Sequence, residues 1–169
     1  MKNVKKLFVI AILIGFSAIS FAQVGATAQV SAKIITPITI SKITDMAFGN
    51  VAISPVIDGT VILTTINSRS RTAGVILPAI TGIVSAAKFT VTGLAGSIYT
   101  ISMPTSIILK KGADQMTVDN FTRTPTAGGT LSGTGTEDIF VGGTLNVIHA
   151  QPAGTYVNTT DLIITVNYN

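Results

Sequence analysis

The stretch KFTVTGLAGSIYTISMP, Lys88–Pro104, decides the fold. Phe89 and Val91 alternate with Lys88, Thr90 and Thr92; Gly93–Gly96 interrupts the pattern; then Tyr99, Ile101 and Met103 alternate with Thr100 and Ser102 up to Pro104. A period of two sends successive side chains to opposite faces of a pleated strand, so each run has one apolar and one polar face. The spacing predicts a hairpin with one buried face, because a one-residue slip would turn the whole apolar set to water.

The same alternation recurs outward from this stretch. Leu145 and Val147 alternate with Thr144 and Asn146, and Leu162, Ile164, Val166 and Tyr168 alternate with Asp161, Thr165 and Asn167, with Ile163 breaking the polar side. Further strands are expected over Thr60–Ile66, Gly74–Leu77, Ile107–Lys110, Met116–Phe121 and Ile139–Val141. Turn signals stand at Asp58-Gly59, Lys111-Gly112, Gly128-Gly129 and Gly142-Gly143, and the Gly/Thr-rich stretch Thr124–Thr136 reads as a long loop or irregular edge. The 25 Thr residues are stiff at χ1 and favour pleated structure, whereas no sustained 3,4 apolar spacing points to a helix. The expectation is an all-β chain folded as one immunoglobulin-like antiparallel β-sandwich.

The chain opens with Lys2, Lys5 and Lys6, an apolar run from Leu7 to Ile14, and Ser20-Phe21-Ala22 before Gln23. This order predicts a secretory signal peptide, residues 1–22, removed after Ala22, and a mature domain of residues 23–169 in the periplasm, at the cell surface or outside the cell. A retained anchor would need about 20 apolar residues, and Gly15, Ser17 and Ser20 break the stretch from Leu7 to Phe21. Contact with the membrane is therefore expected only during export. Without its three signal-peptide lysines the chain keeps 8 basic and 7 acidic residues, a formal charge of +1, too little to track a phosphate backbone. With no Cys, thiolate metal sites, disulfides and a lipid-modified cysteine are all excluded, and the apolar core must hold the domain alone.

Directly after the expected cleavage point, Val24, Ala26, Ala28, Val30 and Ala32 alternate with Gly25, Thr27, Gln29, Ser31 and Lys33. Such a segment can add a strand to a sheet. Two readings stay open: it is the domain's own first strand, continuing past Pro37 through Ile38 and Ile40, or it is an exchangeable arm that inserts into a neighbouring copy.

Catalysis needs a nucleophile, a base and usually an orienting group converging in a pocket, and the chain offers one His and seven scattered acids. His149 shares the parity of Leu145 and Val147 and is expected as a hydrogen-bonded residue at the rim of the core. Glu137-Asp138 and the pair Asp114 and Asp119 read as solvated loop acids, since calcium takes six to eight oxygens from an acidic, Gly-containing loop. Gly133-Thr134-Gly135 is too short for a dinucleotide fingerprint. Asn120-Phe121-Thr122 and Asn158-Thr159-Thr160 match the weak glycosylation sequon, and without Trp the surface offers little for carbohydrate stacking. No catalytic residue, cofactor or metal is expected.

Phe48-Gly49, the Lys88–Pro104 stretch, Val141-Gly142-Gly143-Thr144-Leu145 and the ending Gly154-Thr155-Tyr156 through Val166-Asn167-Tyr168 together resemble an exported bacterial domain of unknown function, number 4402. That family is similar to spore coat protein U and, more remotely, to chaperone-usher pilins. The resemblance marks Phe48, Gly49, Gly142, Gly143 and Gly154 as family turn residues. Pilin subunits end in an alternating strand with a penultimate aromatic and a Gly fourteen positions earlier, which Tyr168 and Gly154 reproduce; the pilin cysteine pair is missing here. In such subunits an assembly chaperone pairs with the last strand until a neighbour's N-terminal arm replaces it. The resemblance thus implies a pilin-like sandwich in which Leu162, Ile164, Val166 and Tyr168 form the receiving edge and Val24, Ala26, Ala28, Val30 and Ala32 the arm. The partners implied are other copies of the chain or surface-assembly machinery.

The expected function is a non-enzymatic exported structural or adhesive subunit, pilus- or coat-like, assembling by strand addition. The alternatives are a self-contained secreted binding module and, more remotely, a secreted hydrolase. Phe89, Val91, Tyr99, Ile101, Leu145, Val147, Leu162, Ile164, Val166 and Tyr168 are expected inside one sandwich. Replacing Ile101 by Ala should then cost about 2–5 kcal/mol in reversible urea denaturation, as other buried large-to-small changes do.

Overall fold

In a computed structural model, residues 23–169 are described; the expected signal peptide, residues 1–22, lies outside them. The chain divides after Ile34. Of the first unit, residues 23–34 are described: they form no strand, and every side chain is exposed. The first strand among the described residues starts at Thr39, beyond Pro37. Among the described residues no helix is long and apolar enough to cross a membrane.

The second unit, Ile35–Asn169, is an all-β antiparallel sandwich. Its strands are β1 (Thr39–Thr44), β2 (Ala47–Phe48), β3 (Ala52–Ile53), β4 (Gly59–Leu63), β5 (Arg69–Arg71), β6 (Val75–Ile76) and β7 (Val84–Ser85). There follow β8 (Ala87–Thr92), β9 (Ile98–Ser102), β10 (Ser106–Lys111), β11 (Asp114–Thr124), β12 (Gly128–Thr130), β13 (Thr136–Val147) and β14 (Thr165–Tyr168). Seven strands form the larger sheet, in the order β1-β8-β13-β11-β10, with β4 also on β13 and β5 on β4. The smaller sheet runs β12-β9-β14, and the short ladders β2-β7 and β3-β6 stand apart.

β13 organises the larger sheet. Along one edge its first half pairs with β8, from Thr136↔Thr92 to Val141↔Ala87, and its second half with β4, from Gly143↔Leu63 to Val147↔Gly59. Its other edge pairs with β11 on both sides of a bulge between Asp119 and Thr122. Gly142-Gly143 is thus not a turn but the middle of a twelve-residue strand, at the hand-over from β8 to β4. A Cβ on Gly142 would lie 2.3 Å from the Leu63 carbonyl oxygen, and one on Gly143 would lie 2.9 Å from the Phe121 ring. The glycines are there because neighbouring chain occupies the space of a side chain. The bulge, with Asn120 at φ 46°, brings Phe121 to its place over Gly143.

The inward parities hold while one pairing does not. Phe89, Val91, Tyr99 and Ile101 are buried together with Leu131, Ile139, Val141, Ile164 and Val166. Yet β8 and β9 belong to different sheets, so Lys88–Pro104 is an arch between layers rather than a hairpin. Alternation reports which face is buried and is silent about which strand lies alongside. A second cluster gathers Val61, Leu63, Leu145, Val147, Val118 and Ile107. Leu162 and Tyr168 are half-buried at the margin of the core rather than inside it.

Gly128-Gly129, expected as a turn within a long loop, forms β12 and pairs with β9. A Cβ on Gly129 would lie 2.2 Å from Glu137 Oε2 and 2.3 Å from the Tyr99 hydroxyl, so only glycine lets that strand close over the pair. Lys111-Gly112 does make the β10–β11 hairpin, with Gly112 at φ 60° as the first of the two loop residues, the position a type II′ turn reserves for glycine. Because the β13 hand-over is filled by backbone, Gly142→Ala is expected to lower unfolding free energy by about 1–3 kcal/mol or more. Gly133→Ala, where an added Cβ would meet nothing within 4 Å, should stay within about 0.5 kcal/mol of the parent in the same urea titration.

Candidate functional groove

A groove of about 940 Å³ opens onto the core between two weakly laddered segments, Lys42–Ile53 and Gln151–Leu162. Its floor includes Phe89 and Ala87 from the first cluster and Val118, Ile107 and Val147 from the second. These floor side chains are themselves buried, so the open space of the groove borders its two walls and the tops of the clusters.

The first wall is held by polar contacts rather than by a long ladder. β2 and β3 are two residues each, so the chain between them depends on the Arg69 guanidinium, whose Nη1 donates to the carbonyls of Phe48 at 2.5 Å and Asn50 at 2.9 Å. The Asn50 N–H donates to the Thr81 carbonyl at 2.6 Å, and the Ser85 hydroxyl donates to the Asp45 carbonyl at 2.7 Å. Gly49 turns at φ 70°, and a Cβ there would lie 2.3 Å from the Thr81 oxygen. Phe48 is a buried core residue and Gly49 the turn beside it.

The second wall rests on β10. Lys110 and Val157 exchange both backbone hydrogen bonds, at 2.8 and 3.0 Å, and Asn158 Nδ2 donates to the Ile108 carbonyl at 2.8 Å. Lys111 Nζ donates to the Ala153 carbonyl at 2.9 Å and lies 5.5 Å from the centre of the Tyr156 ring. Gly154, at φ 145°, leaves room for the Lys111 stem, since a Cβ there would lie 2.5 Å from Lys111 Cδ. Among the described residues, the chain between β13 and β14 joins no ladder apart from the Lys110–Val157 bridge.

The expected receiving edge is split by the structure. Ile164 and Val166 are buried, with Val166 opposite Ile101 on β9; Leu162 lines the groove; among the described residues the side of β14 away from β9 has no ladder partner. The Tyr168 hydroxyl accepts from the Leu94 N–H at 2.6 Å and donates to the Thr36 carbonyl at 2.8 Å, tying the last strand to the chain just before β1. Val24, Ala26, Ala28, Val30 and Ala32 are all exposed, Val24 at 93% and Val30 at 94%.

The titratable residues are dispersed. His149 lies past the end of β13 and is exposed rather than set into the core rim; its backbone N–H donates to Asp58 Oδ1 at 2.6 Å, and its Nδ1 lies 2.8 Å from the same oxygen. Those two contacts, the backbone one foremost, hold the Asp58 carboxyl below its ordinary range. Among the described residues no hydroxyl or amine is hydrogen-bonded to the imidazole. Glu137 and Asp138, adjacent in sequence, face opposite ways: Glu137 Oε2 accepts from the buried Tyr99 hydroxyl at 2.9 Å, while Asp138 meets Lys88 Nζ at 2.8 Å and the Thr90 hydroxyl at 2.7 Å. Burial and then the Glu137 contact push the Tyr99 phenol upward. Asp114 pairs with Lys111, and Asp119 accepts from Asn120. Among the described residues no three His, Cys, Asp or Glu side chains gather as a metal site. The Asn158 amide is committed, donating to Asp161 as well as to Ile108 and accepting from the N–H groups of Thr160 and Asp161. Two residues that shape the groove, Arg69 and Gln151, carry no signal in sequence; only their carbonyl partners in the fold identify them.

Acid should weaken the domain. Asp138 is held low by its Lys88 contact first and the Thr90 hydroxyl second, and Asp58 and Asp161 are lowered as well. A depressed folded-state pKa contributes stability above the unfolded value and loses it as pH falls through the folded value. The melting temperature should therefore hold through the weakly acidic range and drop below about pH 4, the ordinary carboxylate range. Asp138→Asn should flatten part of that drop, as read from thermal melts followed by circular dichroism.

A family model described as a domain of unknown function (DUF4402) matches residues 38–168. No curated protein and no solved structure matches the chain.

Proposed function

The chain belongs to the DUF4402 family, and from the sandwich and groove that its sequence builds we propose that it is a non-enzymatic, exported structural subunit assembling by strand addition. The arm, Val24–Ala32 of one copy, enters the groove of another. The single observation that carries the reading is the groove itself, an unfilled channel of about 940 Å³ over both core clusters. The same chain carries an alternating segment that takes no strand. Strand addition supplies backbone hydrogen bonds for affinity and pockets for alternate side chains.

In this reading residues 1–22 direct export and leave, and kinship with spore coat protein U, and more remotely with chaperone-usher pilins, describes the kind of assembly formed. Ala at three of the five inward positions of the arm buries little area, and burial stabilises by about 25 cal/mol per Å². The joint is thus weaker than one made by larger side chains and concentrates on Val24 and Val30. An arm given by one copy and a groove offered by the next form a heterologous contact, which builds a filament when the rotation does not close.

Deleting residues 23–33 tests the proposal. The parent mature chain should form concentration-dependent oligomers in sedimentation velocity, and the deletion should leave a folded monomer. A parent that stays monomeric at all concentrations, together with a deletion that unfolds, would show instead that the segment completes its own domain, and the chain would be a self-contained secreted module.

A further inference from the structure

A trans peptide plane points its C=O and its N–H in opposite directions, so a residue bonded through both groups on one side has neighbours that present theirs to the other. Val157 is such a residue: it gives its N–H to the Lys110 carbonyl at 3.0 Å and accepts the Lys110 N–H at 2.8 Å, both on the β10 side. The Tyr156 carbonyl and the Asn158 N–H share its two peptide planes and therefore point away from β10. Residues 156–158 all line the groove. Among the described residues neither of these two main-chain groups makes a hydrogen bond. The ladder stops after one bridge because the Ile108 carbonyl, two residues along β10, is taken by the Asn158 side chain. The Oδ1 of that side chain accepts the N–H groups of Thr160 and Asp161 and turns the chain away. The wall is thus fixed in place while one donor and one acceptor of its main chain stay free on the groove side.

We propose that the strand entering the groove docks its backbone on this pair, giving one N–H to the Tyr156 carbonyl and accepting the Asn158 N–H through one carbonyl. The inference rests on the reading of the groove as the receiving site for Val24–Ala32 of a second copy, and it moves the receiving edge from β14 to the second wall. An unpaired donor and acceptor flanking one residue are a template for a further strand. Either a parallel or an antiparallel neighbour can use them, so the pair fixes where the strand lies and leaves its direction and its inward face to the side chains. β14 is the poorer platform: none of Thr165–Tyr168 lines the groove, and the Tyr168 hydroxyl ties the end of that strand to Thr36. The arm fits the edge. Gln23–Lys33 contains no Pro, so each of its residues keeps an N–H to give, and it takes no strand of its own. Because the wall turns after Asn158 and again at Gly154, φ 145°, the shared ladder is short, and an edge already held by side chains lowers the ordering cost of forming it.

The test needs no substitution. Amide hydrogen exchange of the mature chain is followed residue by residue, first dilute and alone, then saturated with a peptide of residues 23–35 whose binding is read by fluorescence anisotropy. Alone, the Asn158 N–H should exchange fast and the Val157 N–H, bonded to Lys110, slowly. With peptide bound, Asn158 should slow by about tenfold or more, since exchange then waits on opening of the added ladder, while Val157 changes little. An Asn158 amide already slow in the free chain would show that it has a partner and would overturn the proposal. So would a saturated complex in which Asn158 is unchanged and the new protection falls on β14; strand addition would then stand, on the other edge. A chain that neither binds the peptide nor self-associates would overturn the groove reading itself, and this inference with it.

Discussion

The whole sandwich depends on β13 remaining continuous while its neighbour on one edge changes. Twelve residues keep one parity throughout, with Ile139 and Val141 buried in one cluster and Leu145 and Val147 in the other. A strand whose side chains serve two clusters cannot slip in either without slipping in both, so its register is specified twice. The cost falls on Gly142 and Gly143, which weaken a strand interior in entropy and packing and are retained because the Leu63 carbonyl and the Phe121 ring occupy the space a side chain would take. β4 and β8 can both reach β13 only because of that opening.

The groove is the complement of the same arrangement. Strands that pair with β13 or β11 have long ladders, whereas past the end of β1 the chain at Asp45–Ile53 has only two-residue ladders with Arg69 and Asn50, and Gln151–Leu162 has Lys111 and a single bridge. The core is therefore well closed around β13 and open where these two segments face each other. Side chains that donate to carbonyls can hold such walls apart, since a wall need not be part of a sheet to be fixed.

The sequence made the faces legible and left the neighbours undetermined. Phe89, Val91, Tyr99, Ile101, Leu145 and Val147 are all buried, as their alternation requires. The partners of those strands depend on contacts far along the chain, and a glycine between two apolar runs reads alike whether it turns the chain or makes room for a crossing neighbour. For that reason Gly142-Gly143 and Gly128-Gly129 read as turns and are strands. The alternating segment Val24–Ala32 and the alternating ending were visible as patterns; the walls of the groove were not, because Arg69 acts on the carbonyls of Phe48 and Asn50 and Gln151 on that of Gln115, and a carbonyl carries no residue identity. His149 shows the limit of parity: β13 ends at Val147, and a residue beyond a strand's end has no face.

The hand-over on β13 also sets the order in which the domain can form. β4, β8 and β11 all take their central partner from residues 136–147, so stretches as early as Gly59–Leu63 stay without it until that part of the chain is in place. Closing loops of that length costs entropy before any pairing compensates, and β folds dominated by distant pairings reach the native state in milliseconds to seconds rather than microseconds. During that interval the alternating runs early in the chain stand as open edges, the species most prone to pair with the wrong neighbour. A chain built this way has its greatest exposure to misassembly before it has a groove at all.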